Sequence, residues 1–316
     1  MQDSEERWFP TRIAGFLVLA LLLYGALFLW SDRILLAHGD RNPFFRIGQS
    51  PARTGWIVLG ASHALPLGFE GVPDMVRDAT GEDTLTLAVA GGGPAVMRLV
   101  AERYFADREA DGVLIVLDAF AFADARWNED RIDDGDLLPK IPADRRTLAV
   151  FKDSMTRGLP AGTFLAYATG FARINDRTRF RIDRWDAASR FDSTARPSDA
   201  AETERIAYLY PGSPSQEAMD KGLADVEALV GLARSRGTKV VLVYPPLPER
   251  FRKRLPELPA LGARLEATVR RLNVPLHDHR GLLPESKYYF DTDHLNRSGI
   301  DLWLERGLGD ILRRVE

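Results

Sequence analysis

An uninterrupted apolar run near the amino end, Ile13 to Trp30 (IAGFLVLALLLYGALFLW), constrains this chain more than any other feature. Its 18 residues carry no charge. Wound as a helix at about 1.5 Å per residue they extend ~27 Å, close to the hydrocarbon thickness of a bilayer. Arg12 closes the run on one side and Asp32-Arg33 on the other, and Trp30 stands where an aromatic ring meets headgroups. The run exceeds the apolar part of a cleavable signal peptide, and no A-x-A-like site follows Trp30, so a retained single-pass anchor is expected. Charge leaves its orientation open, because Arg7 and Arg12 precede it while Arg33, Arg41 and Arg46 follow.

The rest has the composition of a folded domain. With 316 residues, 45% of the chain hydrophobic and 28% charged, it is long enough to bury one large core. A net charge of -3 gives no reason to expect a nucleic-acid partner, which needs a clustered basic face. The absence of cysteine excludes thiolate nucleophiles, disulfides and Cys-based metal sites.

Five short apolar runs read as strands: Trp56–Leu59, Leu85–Val89, Val113–Leu117, Lys239–Tyr244 and Val274–His277. They lack polar alternation, which suits strands covered on both faces. Helical spacing lies between them at Pro94–Ala106, Ser215–Arg234 and Leu261–Leu272. The expected fold class is therefore α/β, a five-stranded, mainly parallel sheet flanked by helices. Residues 1–12 form an amino-terminal tail, 13–30 the anchor, 31–54 a polar juxtamembrane linker and 55–316 the domain. Residues 120–213 break the rhythm and read as an insertion capping the sheet, with helices near Arg146–Arg157 and Gly162–Arg173. Within it, Arg173–Arg190 interleaves arginine with aspartate and aromatics, the pattern of a solvated, salt-bridged face, with a sugar or lipid-headgroup surface as the alternative.

Ser62 follows the first strand in WIVLGASHA, at the sheet edge where α/β proteins bind ligands. Alone it is equally a helix-capping serine. Far downstream, in YYFDTDHLNRSG, Asp291 stands three residues before His294, so its carboxylate can orient the ring through Nδ1 and leave Nε2 facing a serine hydroxyl. Such a base makes a weak nucleophile competent. Asp293, adjacent to the histidine, has more difficulty turning back onto that ring. His277, His279 and His294 with Asp278, Asp291 and Asp293 are a competing metal-ligand set, though their spacing matches no standard zinc motif. Gly91-Gly92-Gly93-Pro94 lacks the spacing of a phosphate loop. His63 is expected to be structural or to face substrate.

These segments, Gly-x-Ser after the first strand and Asp-x-x-His-Leu-Asn-x-x-Gly near the carboxyl end, resemble the SGNH (GDSL-like) hydrolase superfamily over roughly residues 55–118 and 214–316. The resemblance implies a flavodoxin-like sheet, a catalytic set of Ser62, Asp291 and His294, and an oxyanion hole from the backbone N–H groups of Ser62 and Gly91. It implies no cofactor and no metal. The Asn that the family carries after its third strand is missing from LDAFAFA (Leu117–Ala123), so a donor from the insertion, Asn128 or another group, is needed. This departure is similar to membrane-anchored envelope members that resemble alginate O-acetylation and D-alanyl transfer proteins. Those imply acyl transfer or ester hydrolysis on an exported glycan, a membrane-bound O-acyltransferase partner, and a domain outside the cytoplasmic membrane. The missing Asn equally suits a binding or assembly protein that has lost turnover.

Overall fold

The computed structural model describes residues 2–38, 42–133, 137–176 and 186–313, with the side chains of 2–10, 38 and 186–187 excepted; of the arginine-rich stretch 173–190, residues 177–185 lie outside them. Five strands form one parallel sheet in the order β2-β1-β3-β4-β5, with β1 Arg53–Gly60, β2 Thr84–Thr86, β3 Glu109–Val116, β4 Lys239–Tyr244 and β5 Leu276–Asp278. This is the flavodoxin-like order, whose switch point lies where the chain leaves β1 and β3 for opposite sides.

Successive residues of a strand face opposite sides, and here both sides are covered. Ile57, Leu59, Val113, Ile115 and Leu242 pack under helices Pro94–Phe105, Gln216–Ser235 and Pro259–Leu272. Trp56, Val58, Leu114, Val116 and Val243 pack under Val72–Thr80 and the carboxyl-terminal helices. Each fully buried branched side chain contributes on the order of 1.5–3 kcal/mol relative to exposure, against ~0–1 for a surface ion pair. Two-sided burial therefore holds the sheet.

The first helix, Gln2–His38, runs on past Trp30, and its segment Thr11–Ala37 is long and apolar enough to cross a membrane. The polar stretch expected as a linker is packed rather than free. Ser31 is buried, and Asp32 Oδ1 accepts from the Ala143 N–H at 2.9 Å. Asn42 caps helix Pro43–Gln49, whose Phe44 and Ile47 enter the core. The hydrophobic positions of PFFRIG prevail over its flanking polar residues.

After β3 the chain passes through short helical pieces before returning at Ser215. Expected helices appear at Arg145–Met155 and at Ala161–Ala168 continued by Phe171–Asn175, the latter pair separated by Gly170 at φ +74°. A further helix, Asp199–Leu209, has no counterpart in the sequence reading. Ser198 caps it by accepting from Ala201 N, and Asp199 and Glu202 favour its positive end.

Candidate active site

Ser62 opens a 3-10 helix, Ser62–Gly68, two residues beyond β1. Close packing sets this turn: a Cβ at Gly60 would lie 2.7 Å from that of Ala64. His294 sits in a tight loop closed by the Phe290 N–H donating to its carbonyl at 3.0 Å. Asp291 Oδ1 accepts from the N–H groups of Asp293 (3.1 Å) and His294 (2.9 Å). Downstream, Asn296 caps helix Arg297–Trp303 through Gly299 N, and a side chain at Gly299 would strike the Tyr288 carbonyl. The motif is thus a loop, a cap and a close approach in sequence.

Asp291 presents both carboxylate oxygens at 2.9 Å to His294 Nδ1, leaving Nε2 directed away. Phe290 stacks on the imidazole at 5.7 Å and 12°. Among the described residues, no direct hydrogen bond joins His294 to Ser62. Instead Arg205 Nη2 lies 3.4 Å from His294 Nε2 and 3.5 Å from Ser62 Oγ, placing both atoms beside one guanidinium nitrogen at distances too long for strong bonds.

Arg205 comes from the unanticipated helix Asp199–Leu209, which is held near both ends. One turn before it, buried Glu202 accepts from Arg250 Nε and from Arg254 Nη1, the latter at 2.7 Å. At the far end the Leu209 carbonyl accepts from Trp127 Nε1 at 3.2 Å. Arg205 Nε is anchored on Asp293, at 2.9 and 3.1 Å from its two oxygens.

Asp293, only 1% exposed, is the hub of a buried charge cluster. Besides Arg205 it meets His63 Nε2 at 3.2 Å and His294 Nδ1 at 3.4 Å. Burial, the largest influence, pushes its pKa up, but His294, Arg205 and His63 outweigh that and hold it well below the usual carboxylate range. His63 donates from Nδ1 to Asp118 at 2.5 Å. Burial opposes its charge, yet Asp118 and then Asp293 raise it to about 10, so the ring is an imidazolium at neutral pH. Arg205 is raised by the same balance, burial against the charge of Asp293. Asp291 is lowered despite burial, because His294 pairs with it.

Gly91 lies beyond the end of β2 at φ +66°, and a Cβ there would come within 2.9 Å of the Trp127 ring. Its N–H has no acceptor among the described residues. Asn128 does not supply the missing side-chain donor: its amide nitrogen donates to the carbonyls of Ala121 (2.8 Å) and Asp124 (3.1 Å), and its oxygen accepts from Ala95 N. The insertion group that reaches the serine is Arg205.

Of the metal set, His279 Nδ1 accepts from Trp303 Nε1 at 2.9 Å, and His277 and Asp278 belong to β5. The ligand-like grouping is instead His63, Asp293 and His294, each offering an atom within 4.8 Å of the others. Arg205 already sits on that carboxylate, so a metal ion would contend with a guanidinium and with a charged imidazole.

A cavity of about 1250 Å³ opens beside the cluster, over the carboxyl ends of β3 and β4. His63 and Asp118 form its wall nearest Ser62, with Phe120, Tyr210, Tyr244 and Arg280 further out. Burial raises the Tyr244 phenol to about 12, so it is a neutral hydroxyl there.

No family model matches the sequence, and no curated protein matches it. Among solved structures the chain is similar to a Bacteroides fragilis protein classed provisionally as an acylhydrolase, at 11% identity and TM-score 0.43 over 84% of this chain and 88% of that one. It is also similar to a GDSL-like lipase of Bacteroides thetaiotaomicron, at 11% identity and TM-score 0.41 over 84% and 89%. Likenesses this distant carry no functional argument, and the SGNH resemblance rests on the motifs together with the sheet order.

Proposed function

We propose that this chain is an SGNH-type serine esterase or O-acyltransferase. The observation that carries the reading is the Asp291–His294 pair, with Nδ1 saturated by a carboxylate and Nε2 turned toward the end of β1, where Ser62 stands. Ser62 Oγ and His294 Nε2 each lie within 3.5 Å of Arg205 Nη2, and the direct contact between a catalytic serine and histidine is commonly long without substrate.

In the proposed reaction Ser62 Oγ attacks the acyl carbonyl carbon while His294 Nε2 takes its proton. The carbonyl oxygen becomes an oxyanion, met by the N–H groups of Ser62 and Gly91 and by Arg205, whose Nη2 is released when the serine turns. Collapse expels the alcohol, which takes the proton from His294 and leaves an acyl-serine. Water or a second hydroxyl then enters by the reverse steps, giving hydrolysis or transfer. Asp291 keeps His294 in the useful tautomer.

The substrate we propose is an acyl ester on a cell-envelope or exported polysaccharide. Two features support it: the resemblance to envelope-modifying members and the apolar first helix. The same reading places the chain in the cytoplasmic membrane, its domain outside the cytoplasm, beside a membrane-bound O-acyltransferase partner. Labelling the purified full chain with a fluorophosphonate tests the chemistry: wild type becomes modified at Ser62, whereas Ser62→Ala and His294→Ala do not. A folded wild-type protein that stays unlabelled overturns the reading.

One observation favours a second reading, a binding or assembly protein of an envelope-modification complex. Arg205 stands where the Ser62–His294 proton path would run. If Arg205 blocks that path permanently, the label fails on wild type and appears on Arg205→Ala.

A further inference from the structure

Outside the first helix, the large apolar side chains exposed among the described residues are Met155, Leu165, Phe171 and Tyr208. The first three lie on consecutive helices of the insertion, and Leu165 and Phe171 are the most open, at 56% and 59%. The stretch that bears these two has no charged residue between Arg157 and Arg173. Its inward face is Thr163, Tyr167 and Gly170; its outward face is Ala161, Gly162, Leu165, Ala168, Thr169, Phe171 and Asn175. An outward face without charge is unusual for a helix pair at an aqueous surface.

This pair packs against the apolar first helix. Tyr24 donates its hydroxyl to the Thr169 carbonyl at 3.1 Å. Gly170, at φ +74°, leaves room for Phe28, whose ring a Cβ there would strike. The Arg173 guanidinium lies 4.7 Å from the centre of that same ring, is 3% exposed, and donates to the Ile141 carbonyl at 2.9 Å. The Arg173 charge that ends the stretch is therefore turned inward.

We infer that the helices Ala161–Ala168 and Phe171–Asn175 form a second membrane contact, seated in the boundary between headgroups and acyl chains with Leu165 and Phe171 in lipid. The inference rests on the reading that Ile13–Trp30 crosses the bilayer, and depth then decides it. Tyr24 precedes Trp30 by six residues, ~9 Å along a helix axis. Thr169 meets Tyr24 and Gly170 meets Phe28, so the junction of the two helices, flanked by Leu165 and Phe171, lies against the part of the first helix that precedes Trp30. Neither helix is long enough to span a hydrocarbon core of about 30 Å, so the pair lies in the interface. Arg145 and Lys152, exposed on the preceding helix, are cations of the kind that pair with lipid phosphates. Attachment at two places holds the domain, and its cavity, in one orientation above the bilayer.

The chain lacks cysteine, so single sites can be spin-labelled without removing native thiols. Leu21→Cys, Leu165→Cys, Phe171→Cys and Glu217→Cys are each labelled in the full chain. The proteins are reconstituted in vesicles of phosphatidylethanolamine and phosphatidylglycerol, with unchanged melting temperatures confirming the fold. The ratio of collisions with oxygen to collisions with a water-soluble nickel chelate is then measured. A ratio at 165 and 171 several-fold above that at 217, and approaching that at 21, supports the inference. A ratio at 165 and 171 equal to that at 217, with 21 in lipid, overturns it alone. Exclusion of both reagents at 165 and 171 overturns it in favour of a protein cover, and nickel access at 21 removes the anchor reading together with it.

Discussion

Arg205 is clamped by Asp293 through both carboxylate oxygens, so its outer nitrogen is aimed at Ser62 and His294 rather than left free to swing. A guanidinium keeps its charge under all ordinary conditions and holds its N–H groups in one plane, which makes it a directed donor. That separates the anchoring of Arg205 from the work proposed for its tip. Arg205→Lys retains the charge beside Asp293 but loses the second arm, and is expected to lower kcat by ~10²–10³ with a smaller effect on KM. Arg205→Ala also removes the guanidinium from buried Asp293, leaving it to His63 and His294, and is expected to lower stability as well. Steady-state ester hydrolysis alongside urea unfolding separates the two.

The two aspartates flanking Thr292 divide the labour. Asp291 pairs with the imidazole, whereas Asp293 pairs with Arg205 and His63. Asp291→Asn is expected to reduce turnover on the order of 10⁴-fold through the wrong tautomer, with the fold kept. Asp293→Asn is expected to fail first in stability, because it leaves Arg205 without its carboxylate and His63 with Asp118 alone. Equal losses of activity with unchanged melting temperatures in both variants would contradict this division.

Much of this arrangement was legible in the chain before folding. The three central strands were, because two-sided burial writes continuous apolar runs, while the half-exposed edges β2 and β5 only overlap the apolar runs 85–89 and 274–277; so was the Asp291–His294 relation, because a three-residue spacing decides local geometry. Ser62 stood out only by following β1. The cluster of Arg205, His63 and Asp118 was not legible. Each residue is ordinary in its own segment, and their meeting depends on how a long insertion folds back over the sheet. Helix Asp199–Leu209 did carry a start signal in Ser198 and the acidic first turn, but nothing local distinguishes Arg205 from its arginine neighbours. Asn128 attracted attention by type and turned out to tie the Ala121–Asp124 turn to the start of helix Pro94–Phe105.

Gly91 allows the oxyanion proposal to be checked from the backbone side. Substitution by alanine must place a Cβ against Trp127 and hold a non-glycine residue at positive φ. The expected cost is about 1–3 kcal/mol. Trp127 also donates to the end of the Arg205 helix, so its displacement should disturb both proposed oxyanion donors together. Gly91→Ala combined with Arg205→Lys is therefore expected to lose less activity than the product of the single losses. A double variant whose losses multiply would show that the two donors act independently.

His63 makes the charge cluster sensitive to alkali. Its folded-state pKa, about 10, lies above the ordinary value of 6.5 that it regains on unfolding. A group raised in this way contributes its full stabilisation below pH ~6.5 and loses it as the pH climbs toward ~10. Asp293 works in the opposite sense: lowered by folding, it stabilises above the usual carboxylate range and loses that contribution as acid protonates it. Melting temperature should therefore decline between pH 7 and 10 in the wild type. His63→Gln, which can still hydrogen-bond Asp118 but carries no proton to lose, should start lower at pH 7 and show a flatter profile across that window. A variant as steep as the wild type would mean that His63 is already neutral between its two carboxylates, and that Arg205 alone balances Asp293.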